Sequence, residues 1–182
     1  MMHFPIPLLG FCAYSGTGKT TLLTKLLPLL GEHGLRVGVV KHAHHKFDID
    51  NPNKDSYKLR QAGASQMLIA SRKRMAWVAE FDEDQQEPKL EETLSVIQPE
   101  SLDLVLVEGF KKEAFHKIEL HRPSLGKPLF FPDDNNIIAV ASDDRLPVSS
   151  GSLPLLDLNQ PKQICNFILY QFLTNSEQRN HA

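Results

Sequence analysis

Leu8-Leu9-Gly10-Phe11-Cys12-Ala13-Tyr14-Ser15-Gly16-Thr17-Gly18-Lys19-Thr20-Thr21 runs from apolar residues into small ones and ends on a lysine and two threonines. An apolar strand that breaks into a small-residue loop and resumes as a helix is the setting of a phosphate-binding loop, and Ala13 to Thr20 match its pattern [Ala/Gly]-x-x-x-x-Gly-Lys-[Ser/Thr]. Gly16 and Gly18 allow conformations closed to residues with a side chain, so that successive backbone N–H groups from Ser15 through Thr21, Thr17 included, can turn toward a polyphosphate. The helix beginning near Lys19 adds the positive end of its dipole. Lys19 is placed to reach the β/γ-phosphates as a mobile point charge, and the Thr20 hydroxyl to ligate Mg²⁺. Ala13 stands where glycine is commoner, and it is small enough for the tight exit from the strand.

Outward from this loop, Leu22, Leu23, Leu26, Leu27 and Leu30 recur at helical spacing, Pro28 is expected to kink the helix, and Gly31 or Gly34 to stop it. Leu35 to Val40 then reads as a short strand, which makes the first forty residues a βαβ unit with the phosphate site at the carboxyl ends of its parallel strands. The second strand delivers Lys41-His42-Ala43-His44-His45-Lys46-Phe47-Asp48-Ile49-Asp50 to that edge. His42 and His44 share a face if the chain stays extended. With Asp48 or Asp50 they could bind a transition metal or orient phosphate and Mg²⁺, and a solvated polar loop remains the plainer alternative.

Asn51-Pro52-Asn53 is turn chemistry, and Lys54 to Ala64 reads as a short helix closed by Gly63. Asn53-Lys54-Asp55 is one residue short of the Asn-Lys-x-Asp guanine reader, because Ser56 stands where the aspartate belongs. Gln66 to Ala70 and Met75 to Phe81, joined by Ser71-Arg72-Lys73-Arg74, predict a hairpin with a basic tip. After an acidic surface stretch from Asp82 to Glu87, a helix is expected from Pro88 through Val96 and Ile97.

Leu102-Asp103-Leu104-Val105-Leu106-Val107-Glu108 is the continuous apolar run of a parallel strand buried on both faces, ending on an acid. In phosphate-loop proteins a carboxylate at such a strand end holds Mg²⁺ or polarises the attacking water, which makes Glu108 the catalytic and metal-side candidate. Asp103, roughly 16 Å of extended chain away, is read as a cap. Lys117 to His121 and Ile137 to Ala141 are further strands, with a proline-containing loop between them. The latter leads into Ser142-Asp143-Asp144, where a carboxylate can accept from both N1–H and the exocyclic amino group of guanine, a pair that adenine lacks. Leu153 to Leu156 predicts a last strand, and Ile164, Phe167, Ile168 and Phe172 one apolar helical face.

The expected fold is therefore α/β and P-loop NTPase-like, a mostly parallel sheet flanked by helices with an additional hairpin. One domain over residues 1–173 and a frayed tail over 174–182 are expected. A formal net charge of −2 offers no broad attraction to nucleic acid or acidic lipid, so neither nucleic acid nor a membrane is expected as partner. Two cysteines, Cys12 and Cys165, lack the spacing of a disulfide framework or zinc motif. Residues 1 to 12 lack the basic start of a signal peptide and no run reaches the length of a membrane span, so a cytoplasmic chain is expected.

Taken in order, the phosphate loop, Lys41-His42-Ala43-His44-His45, Lys54-Asp55-Ser56, Leu106-Val107-Glu108-Gly109-Phe110-Lys111 and Ala139-Val140-Ala141-Ser142-Asp143 resemble the MobB family of molybdopterin-guanine dinucleotide biosynthesis adaptor proteins. The resemblance runs from about Ile6 to Asp157, and the histidine and Val-Glu-Gly-Phe-Lys elements are its more specific parts. It implies a cytoplasmic homodimer that binds GTP with Mg²⁺, hydrolyses it slowly and assists the guanylyltransferase MobA, with molybdopterin as a further ligand. Carried over residue by residue, it assigns Gly16, Gly18, Lys19, Thr20, Thr21, His42, His45, Asp55, Glu108, Gly109, Lys111 and Asp143 to the site. Two other classes compete: a GTPase metallochaperone using His42, His44 and His45, and a small-molecule kinase, for which Arg72 and Arg74 would be a thin lid.

Overall fold

The computed structural model describes residues 2, 4–43, 47–81 and 87–176. The chain forms two compact units, one of residues 1–42 with 89–182 and the other of residues 43–88.

The first unit is built on β1 (Leu8–Cys12), α1 (Lys19–Glu32) and β2 (Val37–Lys41), and the second holds α2 (Asp55–Gln61), β3 (Gln66–Ala70) and β4 (Met75–Ala79). The chain returns to the first unit through α3 (Leu90–Leu94), β5 (Leu104–Glu108), β6 (Lys117–His121), β7 (Ile137–Ser142), β8 (Leu155–Asp157) and α4 (Pro161–Phe167), which continues as a π-helical turn, Ile168–Leu173. Six strands make one sheet in the order β2-β5-β1-β6-β7-β8, and every pairing in it is parallel. The expected mostly parallel sheet flanked by helices is present, but β1 and β2 are not neighbours: β5 lies between them.

Both faces of the sheet are covered, which is why β1 and β5 read as nearly unbroken apolar runs. On one face Leu9, Phe11, Leu104 and Leu106 pack with Leu22, Leu23, Leu26 and Leu30 of α1 and with Ile164 and Phe167 of α4. On the other, Leu8, Val105 and Val107 pack with Leu90 and Leu94 of α3. The period of two along each strand thus sorts its residues between two cores. Helix α1 continues through Pro28 and ends in a Schellman arrangement, in which Leu35 N–H donates to the Leu30 carbonyl (3.2 Å) and Gly34 N–H to that of Gly31 (2.9 Å). Gly34 adopts a φ of 82°, which identifies it rather than Gly31 as the stop.

In the second unit β3 and β4 form the expected antiparallel hairpin, with Ser71 N–H donating to the Arg74 carbonyl (2.8 Å) across the basic tip. Strand β4 stops at Ala79, short of the expected Phe81, where Glu80 turns its carboxylate to Arg60 (2.6 Å). Helix α3 is likewise shorter than expected. The Ser95 hydroxyl bonds back to the Glu92 carbonyl (2.7 Å), and Gln98, held extended before Pro99, opens a short 3-10 turn. Among the described residues no helix is long and apolar enough to cross a membrane.

Candidate nucleotide site

The loop between β1 and α1 has the geometry its glycines predict. Gly16 and Gly18 take φ values of 82° and 101°, and Gly18 caps α1 without any side-chain bond to the helix's first N–H groups. Those amides remain directed at whatever anion lies before them. The Thr17 side chain is buried, and its hydroxyl (2.9 Å) and backbone N–H (3.4 Å) both donate to the Tyr14 carbonyl, whereas Ser15, Thr20 and Thr21 are exposed. Lys19 curls over the loop, Nζ donating to the carbonyls of Ala13 (3.1 Å) and Tyr14 (3.3 Å). Burial pulls its ammonium below the ordinary lysine range; the charge of Glu108 opposes that shift and Lys111 adds to it. A half-buried ammonium beside the uncapped first turn of α1 is stabilised by an incoming anion, and the loop fits a polyphosphate on that ground.

Strand order explains how Glu108 joins this loop. In register it lies opposite Phe11 of β1 on one side and Lys41 of β2 on the other, so the insertion of β5 carries its carboxylate between the two strand ends. Lys41 Nζ stands 3.8 Å from the Glu108 carboxylate, whose side chain is only 14% exposed. Thr20 and Glu108 are the oxygen ligands that would hold Mg²⁺. At the same edge the His42 N–H donates to the Glu108 carbonyl (2.8 Å) and the His42 ring stacks on Phe110 at 4.5 Å. Gly109 makes this possible. A Cβ there would lie 2.6 Å from His42 Cβ, and both Gly109 and Phe110 have positive φ, 104° and 50°. The ends of β2 and β5 are thereby tied through backbone and ring.

Lys111 Nζ lies 5.3 Å from the Tyr14 ring and 5.2 Å from that of Phe130, and those two rings stack at 4.6 Å. Asp143 follows β7 directly, and its carboxylate pairs with Arg122, whose Nε donates to the Thr17 carbonyl at 2.8 Å. Arg122, immediately after β6, therefore bridges the phosphate loop and the base-side candidate. The buried Oδ1 of Asp143 and Nε2 of the neighbouring His121 have no hydrogen-bond partner among the described residues. Burial lowers the affinity of His121 for a proton and the Asp143 charge opposes it. Asp55 lies in the second unit, in the first turn of α2, 3.5 Å from Lys58 and well exposed. His44 and His45 lie outside the described residues, and among the described residues no three His, Cys, Asp or Glu side chains gather as a metal site.

Several residues were not singled out from the sequence. Lys117, Glu119 and His121 alternate along β6 and are all buried. Lys117 Nζ holds Asp134 at 2.8 Å and the carbonyls of Lys111 (2.9 Å) and Glu113 (2.8 Å), anchoring the turn that carries Lys111. Burial works to raise the Asp134 carboxyl, and the Lys117 ammonium together with the Asn136 donors outweighs it, holding Asp134 below its ordinary range. Glu119 accepts from the backbone N–H groups of Phe130 and Phe131, both at 2.9 Å, and so sets the ring that stacks on Tyr14. The available signal was the period of two: charged residues in every second position of a strand otherwise Ile and Leu mark a polar inner face rather than a solvent one.

With this geometry, residues 8–143 match the family described as "MobB: Molybdopterin guanine dinucleotide synthesis protein B". The chain belongs to the MobB family. It is 47% identical over 165 residues to the molybdopterin-guanine dinucleotide biosynthesis adapter protein of Escherichia coli (strain K12), covering 90% of this chain and 92% of that one. A protein of the same name from Haemophilus influenzae is 42% identical over 172 residues, covering 92% and 90% respectively. A crystal structure of a molybdopterin-guanine biosynthesis protein B superposes with a TM-score of 0.66 at 29% identity, over 89% of this chain and 97% of that one. Bacillus subtilis MobB has the same fold, with a TM-score of 0.71 at 24% identity over 91% and 98% of the two chains.

Proposed function

We infer that this MobB-family chain is an adapter in molybdopterin guanine dinucleotide biosynthesis, one that binds GTP with Mg²⁺, hydrolyses it slowly and assists the guanylyltransferase MobA as a cytoplasmic homodimer. The observation that supports nucleotide binding best is the convergence at one sheet edge of the uncapped loop before α1, Lys19, Glu108, Lys111 and the Arg122–Asp143 pair. The adapter role is supported by the names of the relatives that match over nine-tenths of the chain.

In this reading the N–H groups from Ser15 to Thr21, apart from that of Thr17, hold the phosphate oxygens, and Lys19 leaves its two carbonyls for the β/γ-phosphates. Mg²⁺, when bound by Thr20 and Glu108, would supply charge neutralisation on the phosphoryl oxygens. Glu108, flanked by Lys41 and Lys19, orients water at that edge, and Lys111 adds a second cation beside the loop. Asp143 reads the guanine edge, in register with the phosphate loop because Arg122 touches both. His42, whose ring stacks on Phe110 just after β5, is the candidate on the phosphate side, and His45 and Asp55 are candidates that the family resemblance alone supports. The deciding experiment is titration of the purified protein with GTP and with ATP, then repetition with the guanylyltransferase present. Preferential GTP binding and formation of a complex with the transferase are expected; equal binding of the two nucleotides would remove the guanine part of the proposal.

A further inference from the structure

The Arg122 guanidinium lies along the phosphate loop. Its Nε donates to the Thr17 carbonyl (2.8 Å), and a Cβ built on Gly18 would stand 3.6 Å from its Nη2, so one rigid plane spans the two residues before Lys19. The remaining arm of the fork, Nη1, pairs with Asp143 Oδ2. Whatever sets the Asp143 carboxylate therefore sets the guanidinium, and through it the loop at Thr17 and Gly18.

The other oxygen of that carboxylate has a neighbour of its own. His121 closes β6 opposite Ser142 of β7, the residue before Asp143. The ring is buried, and among the described residues its Nε2 and Asp143 Oδ1 are both enclosed without a hydrogen-bond partner. A buried polar atom left unmade costs its full desolvation, so two complementary ones side by side are expected to serve each other. Charge settles which ring nitrogen carries the proton. Burial lowers the affinity of His121 for a second proton against the opposing charge of Asp143, which keeps the imidazole neutral. A neutral ring has one N–H, and a bare Nε2 would turn its lone pair on the carboxylate, so the proton belongs on Nε2. Along the same face of β6, Glu119 already accepts from Phe130 and Phe131 and Lys117 holds Asp134, so neither competes for the ring. A carboxylate has about four acceptor positions, and contacts to Arg122 and His121 leave room for a ligand.

We propose that His121 is a positioning residue for triphosphate binding: its Nε2–H holds Asp143, Asp143 holds Arg122, and Arg122 fixes the loop at Thr17 and Gly18. The proposal rests on the reading of the loop as a triphosphate site. Its test measures the affinity for inorganic tripolyphosphate with Mg²⁺, a probe without a base, so the outcome is independent of the guanine reading. The wild-type chain is compared with His121→Leu, His121→Gln, Asp143→Ala and the His121→Leu/Asp143→Ala pair, each checked for folding by its melting transition. His121→Leu should bind about tenfold more weakly, the loss of one hydrogen bond. His121→Gln, whose amide N–H can take the place of Nε2–H, should recover most of that loss. In the Asp143→Ala background the leucine should cost nothing further, because the link it breaks is already gone. In the wild-type chain, ¹⁵N spectra should show His121 Nε2 protonated at neutral pH, a reading that needs no variant to fold. A folded His121→Leu chain that binds as wild type overturns the proposal and leaves the loop as the triphosphate site. So does a glutamine variant as weak as the leucine, a leucine effect undiminished without Asp143, or a bare Nε2 in the wild type. A wild-type chain that fails to bind tripolyphosphate overturns the loop reading and the proposal together.

Discussion

Asp143 shows how much one side chain carries at this edge. As the proposed reader of the base, it would meet N1–H and an amino group on guanine but a lone pair on adenine, a mismatch of roughly a few kcal/mol or about a hundredfold in affinity. Asp143→Asn is therefore expected to weaken GTP binding and narrow the preference over ATP in a competition assay. Asp144→Asn should do less, since Asp144 is exposed and its carboxylate accepts the Arg145 N–H (2.7 Å). Lys19→Ala should abolish measurable triphosphate binding with an unaltered circular dichroism spectrum, because the ammonium packs against loop carbonyls and no core. Retained affinity would remove the loop from the site. Glu108→Gln should keep triphosphate binding, weaken its Mg²⁺ dependence and slow phosphate release; wild-type turnover would leave Glu108 as a strand end alone.

Among the elements, the pairing of β2 with β5 has its own clasp. Arg36 donates to Asp103 from its backbone N–H (2.8 Å), from Nε (3.0 Å) and from Nη2 (2.8 Å), so Asp103 does more than cap β5: it ties the starts of two adjacent strands. These side-chain and backbone donors depress its carboxyl to about 2. A carboxyl lowered on folding contributes stability that is fully present above its unfolded value, 3.8, and is lost as pH falls through about 2. Asp103→Asn should lower the melting temperature at neutral pH, and the gap from wild type should close across that acid window; a gap independent of pH would show that the charge is not what clasps the strands. In β6 the buried Glu119 acts on the loop rather than on the ladder. Glu119→Ala leaves two amides unpaired, at about 1–3 kcal/mol each, so a clear loss of thermal stability is expected together with weaker triphosphate binding through Phe130 and Tyr14.

For the whole molecule, stability is unevenly distributed. The central strands β1 and β5 are buried throughout, apart from the partly exposed Glu108, whereas in the second unit Arg60 alone among the described residues is buried. Arg60 gathers Asp48 (2.9 Å), Glu80 (2.6 Å) and Asp50 (3.8 Å), an ionic centre where the first unit has leucines. A two-stranded hairpin with a seven-residue helix is marginal by itself. Hydrogen exchange should therefore reach residues 55–79 well before the amides of β1 and β5, and equal protection would point to a hidden core. The proposed homodimer predicts twice the chain mass by light scattering.

The local elements were legible because they rest on near-neighbour physics. The phosphate loop follows from two glycines and a lysine at set spacing, α1 from its leucine stripe, and β5 from an apolar run that ends on an acid. Glu108 and Asp143 could be placed at strand ends for the same reason, and the boundaries erred where α3 met a serine bonding its own backbone and where β4 met a glutamate that turns to Arg60. What the sequence left open were relations between segments far apart in the chain. The insertion of β5 between β2 and β1 joins residues sixty or more positions apart, as the 67-residue separation of Arg36 and Asp103 illustrates. Arg122 likewise meets Thr17 across 105 positions and Asp143 across 21. No periodicity records such meetings; they arise when the parallel sheet brings its strand ends to one edge, and only the tertiary structure decided that Arg122 and Glu119 belong beside the loop.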